Sequence, residues 1–208
     1  TTDGITNAGN FSTDGGTIKL DGNYPTGSDN VALGDTALDD GSLSGGNNVA
    51  IGSAALTANT TGAGNTAIGK DALLVNTTGD SNTAVGFKAL DANTTAGNNT
   101  AVGKNALSGN TTAANNTAVG LDALKVNTTG ASNVAVGSSA LAANTTAASN
   151  VAVGTFSLDA NTTGAGNVAV GTNALTANTT ADSNTAIGNG ALESNTTGTL
   201  NVAIGVAA

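Results

Sequence analysis

The 208-residue chain contains no cysteine, histidine, methionine or tryptophan, and a single proline. Without cysteine there is no disulfide framework. Without histidine or cysteine, Ser-His-Asp and Cys-His triads and the usual zinc sites are excluded. Aromatic residues make up 2% and charged residues 9%, so few bulky side chains can fill a compact core, and the composition is unlike that of an ordinary enzyme. No apolar run approaches the roughly 18 residues of a membrane-spanning helix. Five basic residues against fourteen acidic ones give a net charge of −9, without the basic footprint of a nucleic-acid binder. The charge is uneven: seven of the fourteen acids fall in residues 1–40. A chain opening on Thr1 reads as a processed product or a fragment.

What is present is repetition. The phrase NTAVGKNALSGNTTAAN (Asn99–Asn115) is followed by NTAVGLDALKVNTTGAS and preceded by NTAVGFKALDANTTAGN. The opening asparagines are Asn30, Asn48, Asn65, Asn82, Asn99, Asn116, Asn133, Asn150, Asn167, Asn184 and Asn201. Every spacing from Asn48 onward is 17, and the first is 18. Counting the opening Asn as position 1, the consensus is N-[TV]-A-[IVL]-G-x-x-A-L-x-x-N-T-T-[GA]-x-x, in ten full copies and a truncated eleventh. Such regularity argues against disorder, the plain reading of a chain rich in small residues. A period of 17 is too short for most helical repeats, and β-branched residues two apart (Val49 and Ile51, Val168 and Val170) read as short strands.

The expected fold is all-β: a parallel β-solenoid of 17-residue coils over residues 30–208, preceded by an acidic, Gly-rich lead-in over 1–29. Each coil should hold a strand at positions 2–4 ended by Gly at position 5, a second short strand at Ala-Leu (positions 8 and 9), and a polar turn at Asn-Thr-Thr. Equal positions then stack about 4.8 Å apart, ten coils span roughly 48 Å, and stacked Asn side chains bond along the ladder. With positions 2 and 4 assigned to the interior, the alanines of position 3 face outward. This column (Ala50, Ala67, Ala84, Ala101, Ala118, Ala135, Ala152, Ala169 and Ala186) is then the candidate contact around an oligomer axis.

Chemistry is sparse. The repeat acids (Asp71, Asp80, Asp91, Asp122, Asp159, Asp182, Glu193) share no common pocket in the pattern, so no catalytic, cofactor-binding or metal residue is assigned, and no enzyme activity is expected. Asp-Gly pairs near the start (Asp3-Gly4, Asp14-Gly15, Asp21-Gly22) read as turns, because they lack the nonapeptide period of calcium-binding repeats. Nine Asn-Thr-Thr triplets, Asn59 to Asn195, match the N-glycosylation acceptor, yet a regular turn explains all of them. Positions 6 and 7 vary most. There Phe87, Lys88, Lys104, Leu121 and Phe156 form a candidate lateral receptor face.

The N-[TV]-A-[IV]-G phrase resembles the head repeats of trimeric autotransporter adhesins (YadA-like heads) across roughly residues 30–205. The longer form with Ala-Leu and Asn-Thr-Thr, and the lead-in GGTIKLDGNYPTGSDNVALGDTAL, are similar to repeats of marine phage tail fibres and large bacterial surface proteins. The coil departs in length, 17 residues against a commoner fourteen to sixteen in the adhesin heads. The resemblance implies a left-handed β-roll, a homotrimer, an extracellular place on a virion or cell surface, and attachment to a host receptor or glycan. From charge and composition, no nucleic-acid partner, no membrane insertion of this segment and no cofactor are expected. The competing expectation is an ice-binding solenoid, with Asn59, Thr61 and their copies forming one flat array.

Overall fold

The computed structural model describes residues 29–208 and the two-residue strand β1 (Ile18–Lys19). Nearly all of the expected lead-in, with its Asp-Gly pairs, therefore lies outside the described residues. Eleven three-residue strands follow, from β2 (Val31–Leu33) and β3 (Val49–Ile51) to β12 (Val202–Ile204), one in each coil. They form one sheet in strict chain order. Every pair from β2 onward is parallel and in register, so Ala101 stands between Ala84 and Ala118. β1 turns back antiparallel on β2, pairing Ile18 with Leu33 and closing that edge of the sheet. The chain is thus a parallel β-solenoid of about 17 residues per coil, with no helix among the described residues.

The interior reverses the expected facing. The position-3 alanines from Ala50 to Ala186 are 0% exposed. Positions 2 and 4 point outward and are half-buried to exposed in nearly every coil, as in Thr100 and Val102. The outward Ala column and its nine candidate axis contacts, Ala50 through Ala186, are therefore corrected: these methyl groups are sealed inside their own chain. The physical reason is width. Strand alternation sends positions 2 and 4 to one side and position 3 to the other, but does not say which side is inside. A coil of 17 residues brings opposite walls so close that the inward column must be small.

The second strand is also corrected. Positions 6–9 form a turn in which positions 7 and 9 both adopt the left-handed conformation, for example Asn105 (φ 54°) and Leu107 (φ 55°). This geometry turns both Ala106 and Leu107 inward, fully buried. A left-handed residue other than glycine is disfavoured by about 1–2 kcal/mol, while burying leucine contributes roughly 1.5–3 kcal/mol. Leucine satisfies both demands. Valine or isoleucine would supply apolar area too, but a β-branched residue fits this backbone poorly, and none occupies position 9.

Glycine at position 5 meets two constraints at once. Gly86 has φ 137°, and a Cβ there would lie 2.5 Å from the carbonyl oxygen of Gly103 in the next coil. Stacked backbones approach too closely for any side chain.

Two buried asparagine columns complete the interior. At position 1, the backbone N–H of Asn65 donates to Asn48 Oδ1 (2.9 Å), and its side-chain Nδ2 donates to the Gly79 carbonyl (2.8 Å). At position 12, Asn76 Nδ2 donates to Asn59 Oδ1 (3.1 Å) and also to Gly79 O (3.0 Å). Both columns thus converge on the position-15 carbonyl and occupy both its lone pairs. The arrangement recurs along the stack, with Asn82 and Asn93 meeting at Ala96 O, but not at Asn116, whose Nδ2 is buried without a partner. In the 18-residue first coil Leu43 is buried where later coils bury this second Asn.

Candidate functional site

With chemistry turned inward, three outward surfaces remain. The first is the strand face. Positions 2 and 4 present two parallel rows of Val, Ile and Thr along a continuous sheet, with Ile68 and Ile187 reaching 36% and 39% exposure. Thr66, Thr83, Thr100 and Thr117 follow one another in row 2. The eleven stacked strands of this face span about 48 Å. Thr holds five of the eleven position-2 sites, so the face is apolar along position 4 and mixed along position 2.

The second is the Asn-Thr-Thr edge. The position-13 hydroxyls from Thr60 to Thr162 donate to the carbonyl of the same Thr one coil on, as in Thr60 to Thr77 (3.0 Å) and Thr77 to Thr94 (3.1 Å). The following Thr points to solvent, as Thr61 and Thr78 do. The flat array of Asn with the second Thr does not form, because Asn59 and its copies through Asn178 are buried at 0%. The same burial closes eight of the nine acceptor asparagines, Asn59 to Asn178, within the folded coil, while Asn195 is half-buried. The amide nitrogen of Asn76, for instance, already donates twice and is sealed from solvent.

The third is the turn edge, carrying positions 6, 7, 10 and 11. Phe87, Lys104 and Leu121 occupy position 6 of three successive coils, all exposed, and Lys88 adjoins Phe87 with its Nζ 5.9 Å from the ring centre. These four candidate residues are brought together. Phe156 is exposed on the same edge, but a whole coil lies between its own and that of Leu121. The edge also holds residues that sequence reasoning passed over. Lys88 pairs with Asp91 (3.9 Å), Lys125 pairs with Asp122 (3.6 Å), and Asn105 Nδ2 donates to Asp122 Oδ1 (2.9 Å). Burial pushes the Asp91 carboxyl above the usual carboxylate range, against the opposing pull of Lys88. The signal for these residues was present: opposite charges three apart in sequence, in two coils of a chain with few charges.

Among the described residues no three His, Cys, Asp or Glu side chains gather as metal ligands, and no helix is long and apolar enough to cross a membrane. The fold defines the class: a parallel β-solenoid repeat protein. No known family, no curated protein and no solved structure matches the chain.

Proposed function

We propose that the chain is a shaft or head segment of an extended attachment fibre, of the kind carried by phage tails or bacterial surface adhesins. In this reading three copies pack around a common axis as left-handed rolls, outside the cell, and hold or form a surface that engages a host. The observation that carries it is the strand face. An unbroken double row of β-branched side chains, half-buried already within one chain, calls for a cover. A second copy is the economical one, since an identical period lets every row meet its equivalent. The axis contacts are then Val102, Val119, Val136 and their equivalents, in place of the alanines between them.

The test is mass in solution. Light scattering on the eluting protein should give about three times 19.5 kDa, and the pair Val102→Glu with Val119→Glu should reduce it to a single chain. A wild-type mass of 19.5 kDa at high concentration would sink the proposal.

A second reading draws on the same rows. Four successive Thr beside Ile or Val on a flat, regularly spaced face suit an ice-binding surface better than the buried asparagines do. The two readings compete for one surface. A monomer showing thermal hysteresis favours ice, and an inactive trimer favours the fibre.

A further inference from the structure

Three adjacent coils on the turn edge carry an arrangement found nowhere else along the described residues. Down the stack, position 7 reads Lys88, Asn105, Asp122, and position 10 reads Asp91, Ser108, Lys125. The charge order of one column is the reverse of the other, and the two columns neutralise each other through the Lys88–Asp91 and Lys125–Asp122 pairs. The coils on either side place Asp71 with Leu74 and Ser139 with Ala142 at these positions, without an opposite charge.

Between the pairs the surface is hollow. Position 11 is Gly109, flanked by Ala92 and Val126 in the neighbouring coils, and these residues line an open trough of about 530 Å³. The trough is open to solvent along its length, so a ligand would lie along it with one side exposed. Its floor is apolar and held in place, because the Gly109 N–H donates to the Lys125 carbonyl at 2.7 Å. Its rim offers ammonium and amide donors beside a carboxylate and a hydroxyl. Asp91 is partly stripped of water there and gains from any hydroxyl that donates to it. The ion pairs are long, 3.9 and 3.6 Å, so each lysine keeps N–H groups for a further partner.

We infer that this trough binds a neutral saccharide of one or two rings. An anion meets Asp91 and a cation meets the two lysines, whereas a sugar brings alternating donors and acceptors together with apolar C–H faces for Ala92 and Val126. The inference rests on the attachment reading and supplies its ligand class.

The experiment is a glycan array probed with the full chain, followed by titration of the neutral, hexose-containing hits. The blocking variant is Ser108→Leu, chosen because Leu74 already occupies that position in another coil and the fold accepts it. Asp91→Ala is chosen likewise, since Ala142 holds the same place. Neutral glycans should bind, and each variant should bind at least about tenfold more weakly while still unfolding in one cooperative transition. Absence of any neutral hit, preference for sialylated or sulfated glycans, or full binding by Ser108→Leu would overturn the site. Those results leave the trimer mass untouched, so failure of the saccharide site is separable from failure of the fibre reading.

Discussion

The inside and the turn edge of this solenoid are built from the same 17 positions under opposite rules. Inside, each residue's neighbours are its own copies one coil above and below, so a single departure disturbs three layers. Position 3 is alanine without exception, and position 8 departs only at Ser157, whose hydroxyl donates to Gly154 O (2.8 Å). On the edge, Lys104 stands between Phe87 and Leu121 without any shared requirement. The contrast teaches that the interior enforces repetition while the turn edge does not; the exposed second Thr, repeated from Thr61 to Thr197, is an outward column that shares the interior's constancy.

Substitutions can break this contrast in graded steps. Gly120→Val should be the most damaging. It places a branched side chain at φ 137°, with its Cβ 2.5 Å from the Gly137 carbonyl oxygen. A loss of about 4 kcal/mol or more is expected, read from the urea midpoint. Next comes Leu107, where alanine should cost about 2–5 kcal/mol. Leu107→Val should cost as much as alanine although it retains more volume, because the left-handed backbone opposes β-branching; a clearly milder valine variant would show that volume alone governs the site.

Asn93→Ala removes a donor to Asn76 Oδ1 (2.7 Å) and the acceptor of Asn110 Nδ2 (3.1 Å). Leaving such groups unpaired costs about 1–3 kcal/mol, and hydrogen exchange should quicken in the coils on both sides. On the rim, Lys104→Ser installs the residue that Ser53 and Ser138 already hold, and its stability should stay within about 0.5 kcal/mol of the parent.

The smallest effect is a pH slope. Asp91 titrates above its unfolded value because of burial. The folded chain therefore binds the proton more readily than the unfolded one, and this contribution raises stability as pH falls through the raised value toward the unfolded one. Asp40 runs the other way. Its hydrogen bonds from Ser42 lower its value, so its contribution is lost as pH falls. Asp91→Asn should remove the first slope and leave the second, as followed by unfolding midpoints between pH 3 and 7.

Much of this was legible in the sequence. The 17-residue spacing announced the stack, Gly at position 5 announced the close backbone, and recurrent Asn announced the ladders. The facing was not legible, because alternation is symmetric and the usual preference for burying Val over Ala assumes an interior wide enough for Val. Nor was the turn at Ala-Leu. An apolar pair looks the same whether it lies in a strand or in two left-handed steps that send both side chains inward. The rim residues Phe87, Lys104 and Leu121 were found through variability alone, while the Lys88–Asp91 and Lys125–Asp122 pairs needed the third dimension to show that they frame one hollow.

The position-12 amide ladder has a direction. Asn76 donates back to Asn59, Asn93 to Asn76 and Asn110 to Asn93, so each bond runs from the later coil to the earlier. A finished coil therefore leaves an open acceptor facing the residues still to be synthesised. At ribosomal speeds of roughly 5–20 residues per second, a new coil emerges about every 1–3 seconds. Its side-chain ladder is completed by its predecessor, whereas backbone donors such as the Leu56 and Thr60 N–H groups bond to carbonyls of the coil that follows, so each layer is finished only when the next is in place.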